Sequence, residues 1–158
     1  MKIILATDGT RFGDAATEMI TKFNLGSGDS VRVISVVDMA LPLAVDVYGG
    51  YLPDTSDLEK TARENASKVT DSTCEKIRSF FGQSGVDVSG EVLFGSPDSR
   101  IVETAENMGA DLIILGSHGY RRWERILLGS VSSSVVSHAH CSVLVVRSAD
   151  QPVNDDNA

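Results

Sequence analysis

Four small residues stand at a spacing suited to holding an anion: Gly116, two residues, Gly119, nine residues, then Gly129-Ser130. Glycine has no Cβ, so its backbone can approach a ligand closely. A helix that begins at Gly-Ser offers unpaired N–H groups and the positive end of its dipole. A glycine turn beside such a helix start is the chemistry of a phosphate cradle. Two other groups join the set: Asp8, in Thr7-Asp8-Gly9-Thr10, and His118, between the first two glycines. Hydrolysis of a bound triphosphate would also need a base or a positioned water and a cation at the γ-phosphate. His118, Asp8 and an arginine from Arg121, Arg122 or Arg125 are the candidates, and no pair has a spacing that signals catalysis. No catalytic residue is assigned, and any hydrolysis at this site is expected to be slow. His138 and His140, two apart near a helix end, have poor metal-ligand geometry and read as partners of the helix carboxyl end. No metal ligand is assigned.

These residues need elements to carry them. Ile3-Ile4-Leu5-Ala6 and the run 111–115 are continuously apolar, as strands covered on both faces are. Val31-Arg32-Val33-Ile34-Ser35-Val36-Val37 and 86–94 read as strands, and Ser142-Val143-Leu144-Val145-Val146 as the last. Between them, Ala15, Ala16, Met19, Ile20 and Phe23 recur at helical spacing, and so do Leu58, Ala62, Ala66, Val69, Thr73, Ile77 and Phe80. A third helix opens at Ser96, a candidate N-cap, with Pro97 at its first position, and stops at Gly109. A short helix spans 131–137. Alternating strands and helices force parallel pairing through right-handed crossovers. The expected fold is therefore α/β: a three-layer, doubly wound, open parallel sheet of five strands, Rossmann-like, in the order 3-2-1-4-5. In that order the loops after strands 1 and 4 flank one crevice at the switch point, where such folds take ligands.

At 158 residues the chain fits one domain, here 1–147, followed by a polar, flexible tail over 148–158. The net charge of −8 disfavours non-specific binding to nucleic acid or anionic membrane. No apolar run approaches the length of a membrane span, and the N-terminal run is too short for a signal peptide. Cys74 and Cys141 fit reduced cytosolic thiols better than a disulfide framework, which makes the expected compartment cytoplasmic. The stretch 39–55 is long and apolar, with two prolines and two glycines, and reads either as a functional flap or as a loop packed on its own domain.

Other phosphate sites fail on residues. The chain has no Gly-Lys pair, so the P-loop is absent, and Asp8-Gly9-Thr10-Arg11-Phe12-Gly13 is not the dinucleotide pattern G-x-G-x-x-G. Strand 3 ends Leu93-Phe94-Gly95, without the acid of a phospho-acceptor domain. The spacing of Gly116, Gly119, Gly129 and Ser130 instead resembles the G-x2-G-x9-G-[ST] pattern of nucleotide-binding universal stress proteins. The resemblance extends to Ala6-Thr7-Asp8-Gly9-Thr10, Ser35-Val36-Val37-Asp38, Gly95-Ser96-Pro97 and Cys141-Ser142-Val143-Leu144-Val145-Val146, and so covers nearly the whole chain.

That resemblance implies an adenine nucleotide α-hydrolase-like fold binding ATP or ADP, with Mg²⁺ held through the phosphates, and a role in stress response or signalling. It implies a site of Ala6, Thr7, Asp8, Val36, Leu115, Gly116, His118, Gly119, Gly129, Ser130 and Val131. Asp8 would meet the ribose or adenine side, or else would only cap helix 1. Val36 would offer its backbone to adenine, Leu115 would line the pocket, and Gly116, His118 and Gly119 would form the phosphate loop. Gly129, Ser130 and Val131 would meet the outer phosphates. The family usually pairs through its last strand, which implies a homodimer. Two alternatives stay open: a slow ATPase or nucleotide-using enzyme of the same fold, and a nucleotide-free interaction module. The histidine pair or Ser-Gly-Gly motif of the related enzymes is absent after strand 1, and the intact glycines argue against the nucleotide-free module.

Overall fold

A computed structural model describes residues 1–38, 56–117 and 128–148. The loop at 39–55, His118, Gly119, Arg121, Arg122, Trp123, Arg125 and the tail from 149 lie outside the described residues.

Five strands and four helices alternate: β1 Lys2–Ala6, α1 Arg11–Ile20, β2 Ser30–Val37, α2 Ser56–Phe81, β3 Asp87–Phe94, α3 Pro97–Met108, β4 Leu112–Gly116, α4 Ser130–His138 and β5 Ser142–Val146. Every strand pairing is parallel and the order is β3-β2-β1-β4-β5, as the sequence implied. The period-2 alternation of β1 sorts its side chains into two cores. Ile3 and Leu5 pack with Ala16 and Ile20 of α1 and Cys74 and Ile77 of α2. Ile4 faces the other way, with Ile34, Ile113 and Leu115, against Ile101 and Ala105 of α3 and Val135 of α4. Ile3, Ile4, Leu5, Ile113 and Ile114 are fully buried. Each such side chain contributes about 1.5–3 kcal/mol by leaving water, which makes β1 and β4 the rigid centre of the molecule.

Some boundaries differ from the sequence reading for physical reasons. The apolar spacing of α1 runs on to Phe23, but the α-helix ends at Ile20. Thr21, Lys22 and Phe23 then donate to carbonyls three residues back at 3.1–3.2 Å, so the chain tightens while Phe23 still packs on the core. Gly109 ends α3 in the left-handed region at φ 61°, a conformation that favours glycine. Ser96 holds the N-cap position of α3, yet its hydroxyl makes no capping bond to backbone and donates instead to Asp98 Oδ1 at 2.5 Å.

Candidate functional site

Strand order reverses between β1 and β4, and the register sets Ala6 beside Leu115 on one side and Ile34 on the other. Ala6, Val36, Leu115 and Val131 all border the core beneath α3 and α4, so four of the expected residues share one face at the carboxyl ends of the strands. They form an apolar cluster there, with Leu115 buried and the other three half-buried. Thr7 is fixed at that end by backbone: its N–H donates to the Ile34 carbonyl at 2.9 Å, and its own carbonyl accepts the buried Ser35 hydroxyl at 2.8 Å.

Asp8 follows. Its Oδ1 accepts the Thr10 N–H at 3.0 Å and the Thr10 hydroxyl at 2.6 Å, an Asx-type turn that leads the chain into α1. Thr10 is the N-cap of α1 and makes no side-chain cap of its own. Asp8 thus shapes the turn that leads into α1 by bonding its N-cap residue Thr10, and these two bonds reach no N–H of the helix itself.

Across the crevice, the Ser117 N–H donates to the Val146 carbonyl at 2.8 Å, extending the β4–β5 pairing by one residue. The Ser117 carbonyl then accepts two donors, the Gly129 N–H at 2.7 Å and the Ser132 hydroxyl at 3.0 Å. These bonds draw the start of α4 against the end of β4 and close the chain between 117 and 129 at its base. Gly129 is the N-cap of α4, in extended conformation, and has no side chain to cap the helix. Gly129 thus gives the first-turn amides of Ser130, Val131 and Ser132 no side-chain cap, and among the described residues Ser130 is exposed. An uncapped helix start beside a switch-point crevice attracts an anion through its N–H groups and dipole.

Gly116 has a second reason to be glycine. A Cβ there would stand 2.7–2.8 Å from Cβ, carbonyl carbon and carbonyl oxygen of Phe12, so its bareness lets β4 meet the first turn of α1. Sequence reading missed Phe12, Thr10, Ser117 and Ser132, which hold the site together without resembling ligand-binding residues. The one available signal was a further serine, Ser132, two positions after Ser130.

Among the described residues no three histidine, cysteine or acidic side chains gather as a metal site. His138, in the last turn of α4, donates from Nδ1 to the Ser134 carbonyl at 2.8 Å, in keeping with a helix-end role. His140 lies beyond the helix and is exposed.

The strand order and the crevice define a doubly wound α/β protein of the kind that takes ligands at the carboxyl ends of its strands. Residues 1–147 match the model of the universal stress protein family, and the chain belongs to that family. It is 35% identical over 146 residues to a universal stress protein of Methanocaldococcus jannaschii, covering 92% of this chain and 81% of that one. Two solved structures share the fold. A universal stress protein in complex with cAMP aligns with a TM-score of 0.63 at 18% identity, over 93% of this chain and 96% of that one. A universal stress protein family protein of Arabidopsis thaliana with AMP bound aligns with a TM-score of 0.60 at 16% identity, over 98% and 97%.

Proposed function

We propose that this protein binds ATP or ADP between the loops after β1 and β4 and uses nucleotide occupancy in a stress-response or signalling role. The observation that carries the reading is the start of α4, where the N-cap Gly129 supplies no side-chain cap and its N–H ties the helix to the Ser117 carbonyl at the carboxyl end of β4. The apolar cluster of Ala6, Val36, Leu115 and Val131 suits an adenine, and Asp8 stands at the β1 side of the crevice, where a ribose would lie. The relatives bound to AMP and cAMP support the adenine class. Within this reading His118 and Gly119 belong to the phosphate loop, and Mg²⁺ is carried mainly by phosphates and water. The domain is 1–147, the compartment is the cytoplasm, and the protein is a homodimer through β5. β5 is an edge strand of the sheet whose Val143, Leu144 and Val145 stay half-buried, and pairing with a second copy would cover it. No helix of the described residues is long and apolar enough to cross a membrane.

The test is to heat-denature the purified protein and identify any released nucleotide by chromatography and mass spectrometry. In parallel, ATP with Mg²⁺ is added to nucleotide-free protein. Ligand at about a hundred times Kd stabilises by about 2.7 kcal/mol, which raises Tm by about 5–10 °C in a domain of this size. Gly129→Val should abolish the shift by placing a branched side chain over the first-turn amides. A wild type that releases no nucleotide and gains no stability from ATP sinks the proposal.

A further inference from the structure

Helix α4, with Gly129 as its N-cap and opening with Ser130 and Val131, is only nine residues long and packs on α3 as well as on the sheet. Its apolar anchor is Val135, fully buried in the cluster that holds Ile101 and Ala105 of α3. An apolar contact is non-directional, so it sets the distance between the helices but leaves rotation and sliding loosely determined. Directional bonds remove that freedom at two points: the Gly129 N–H and the Ser132 hydroxyl hold the helix start to the Ser117 carbonyl, and one turn on the Ser134 hydroxyl donates to Asp98 Oδ2 at 2.6 Å, tying the helix to α3.

Asp98 is itself fixed. It sits in the first turn of α3, where the helix dipole favours a carboxylate, and its Oδ1 accepts the Ser96 hydroxyl at 2.5 Å. Ser134 is four residues past Ser130, one turn further along the same side of α4. With the first turn hinged on the Ser117 carbonyl, holding Ser134 fixes the remaining rotation and so the angle at which the amides of Ser130 and Val131 emerge. Asp98 has no expected contact with ligand, and nothing in the glycine pattern calls for it.

We propose that Asp98 is a positioning residue for the phosphates of the bound nucleotide: through its bond to Ser134 it sets the rotation of α4 and so the aim of the helix-start amides. The inference rests on the ATP-site reading above and names the regulation of that same site. It separates from a general packing role because the apolar cluster proposed for adenine belongs mostly to β1, β2 and β4, which Asp98 does not hold. Loss of the Asp98–Ser134 bond thus weakens binding in proportion to the phosphates a ligand carries.

The experiment compares wild type, Asp98→Ala, Asp98→Asn and Ser134→Ala for binding of ATP with Mg²⁺, AMP and adenosine by calorimetry, with apo Tm followed by circular dichroism. Asp98→Ala and Ser134→Ala should each weaken ATP about tenfold, as loss of a hydrogen bond to a charged group does, and leave adenosine within about twofold. Asp98→Asn should recover most of the ATP affinity, because its amide oxygen still accepts the Ser134 hydroxyl while the charge is gone. The inference is overturned if Asp98→Ala binds ATP as the wild type does, if adenosine weakens as much as ATP, or if Asp98→Asn behaves like Asp98→Ala. A wild type that binds adenosine and ATP equally overturns it too, and one that binds none of the ligands removes the ATP-site reading itself.

Discussion

Replacing Gly116 with alanine separates the two reasons a glycine can stand at the end of β4. The residue has no positive φ, so alanine meets no backbone strain there. By reducing the freedom of the unfolded chain, the added methyl would by itself stabilise the protein by about 0.4–1 kcal/mol. The same methyl, however, lands 2.7–2.8 Å from Phe12 Cβ, carbonyl carbon and carbonyl oxygen, against 3.4 Å for the near edge of ordinary contact. Two of those three atoms are backbone and no rotamer relieves them. The first turn of α1 must therefore withdraw from β4 by roughly 0.6 Å, and overpacking of this kind costs about 1–3 kcal/mol. The net expectation is a loss of about 1–2 kcal/mol, or a Tm lower by about 2–8 °C. Urea titration should show the midpoint falling with an unchanged slope, since the surface exposed on unfolding is the same. Withdrawal of α1 also moves Thr10, which holds Asp8 by two bonds, so stabilisation by ATP should shrink in the same variant. A Gly116→Ala protein as stable as the wild type would refute the steric argument and return this glycine to the ligand alone.

Two further outcomes test the packing and the charges. Burial raises the pKa of the Cys74 thiol, and its accessible surface is only 2%; iodoacetamide at neutral pH should therefore label Cys74 only after denaturation, with the half-buried Cys141 labelled first, and mass spectrometry reading equal native rates would contradict the fold of α2 on the sheet. The carboxyl of Asp98 is held below its ordinary value of 3.8, chiefly by the Ser134 hydroxyl and then by that of Ser96. A depressed carboxylate contributes stability that is present above its unfolded pKa and lost as the pH falls through the folded one. The stability difference between wild type and Asp98→Asn should accordingly be flat near neutrality and narrow below about pH 4, and a difference that stays constant into acid would be evidence against the bond.

Periodicity made most of the scaffold readable. Ile3-Ile4-Leu5-Ala6 can be continuously apolar only if both faces are covered, and the two cores that divide those residues bear this out. The strand order was legible because parallel strands need crossovers and crossovers have one hand. Ends were less legible. The side-chain spacing of α1 does not register where α-type bonds give way to tighter ones, so Phe23 counted as helical while standing three residues past the helix. Ser96 satisfied the capping pattern in sequence, yet its hydroxyl is turned to donate to the Asp98 carboxylate, a strong charged acceptor, and its oxygen caps no helix N–H. At the crevice, glycine spacing marked where backbone would be bare. It gave no sign of Ser117 and Ser132, whose bonds bring strand end and helix start together.

That omission follows from how the crevice is held. Its framework consists of main-chain groups: the Thr7 amide on Ile34, the Ser117 amide on Val146, the Gly129 amide on Ser117. Main-chain groups are the same for every residue type, so their arrangement leaves its imprint only on the small residues that must make room for them. Gly116 yields to Phe12, and Gly13 yields to Thr7, where a Cβ would stand 2.5 Å from the hydroxyl oxygen. Ser132, 2% exposed, fits a hydroxyl between two carbonyls, those of Ser117 and Gly129. A site built this way is fragile at its buried small residues and tolerant at its exposed polar ones, the reverse of a site whose chemistry resides in side chains. Substitutions that add a single methyl beneath the crevice should then disturb ligand binding more than removal of an exposed hydroxyl such as that of Ser130, since the proposed anion contact is its amide, which is present in every variant.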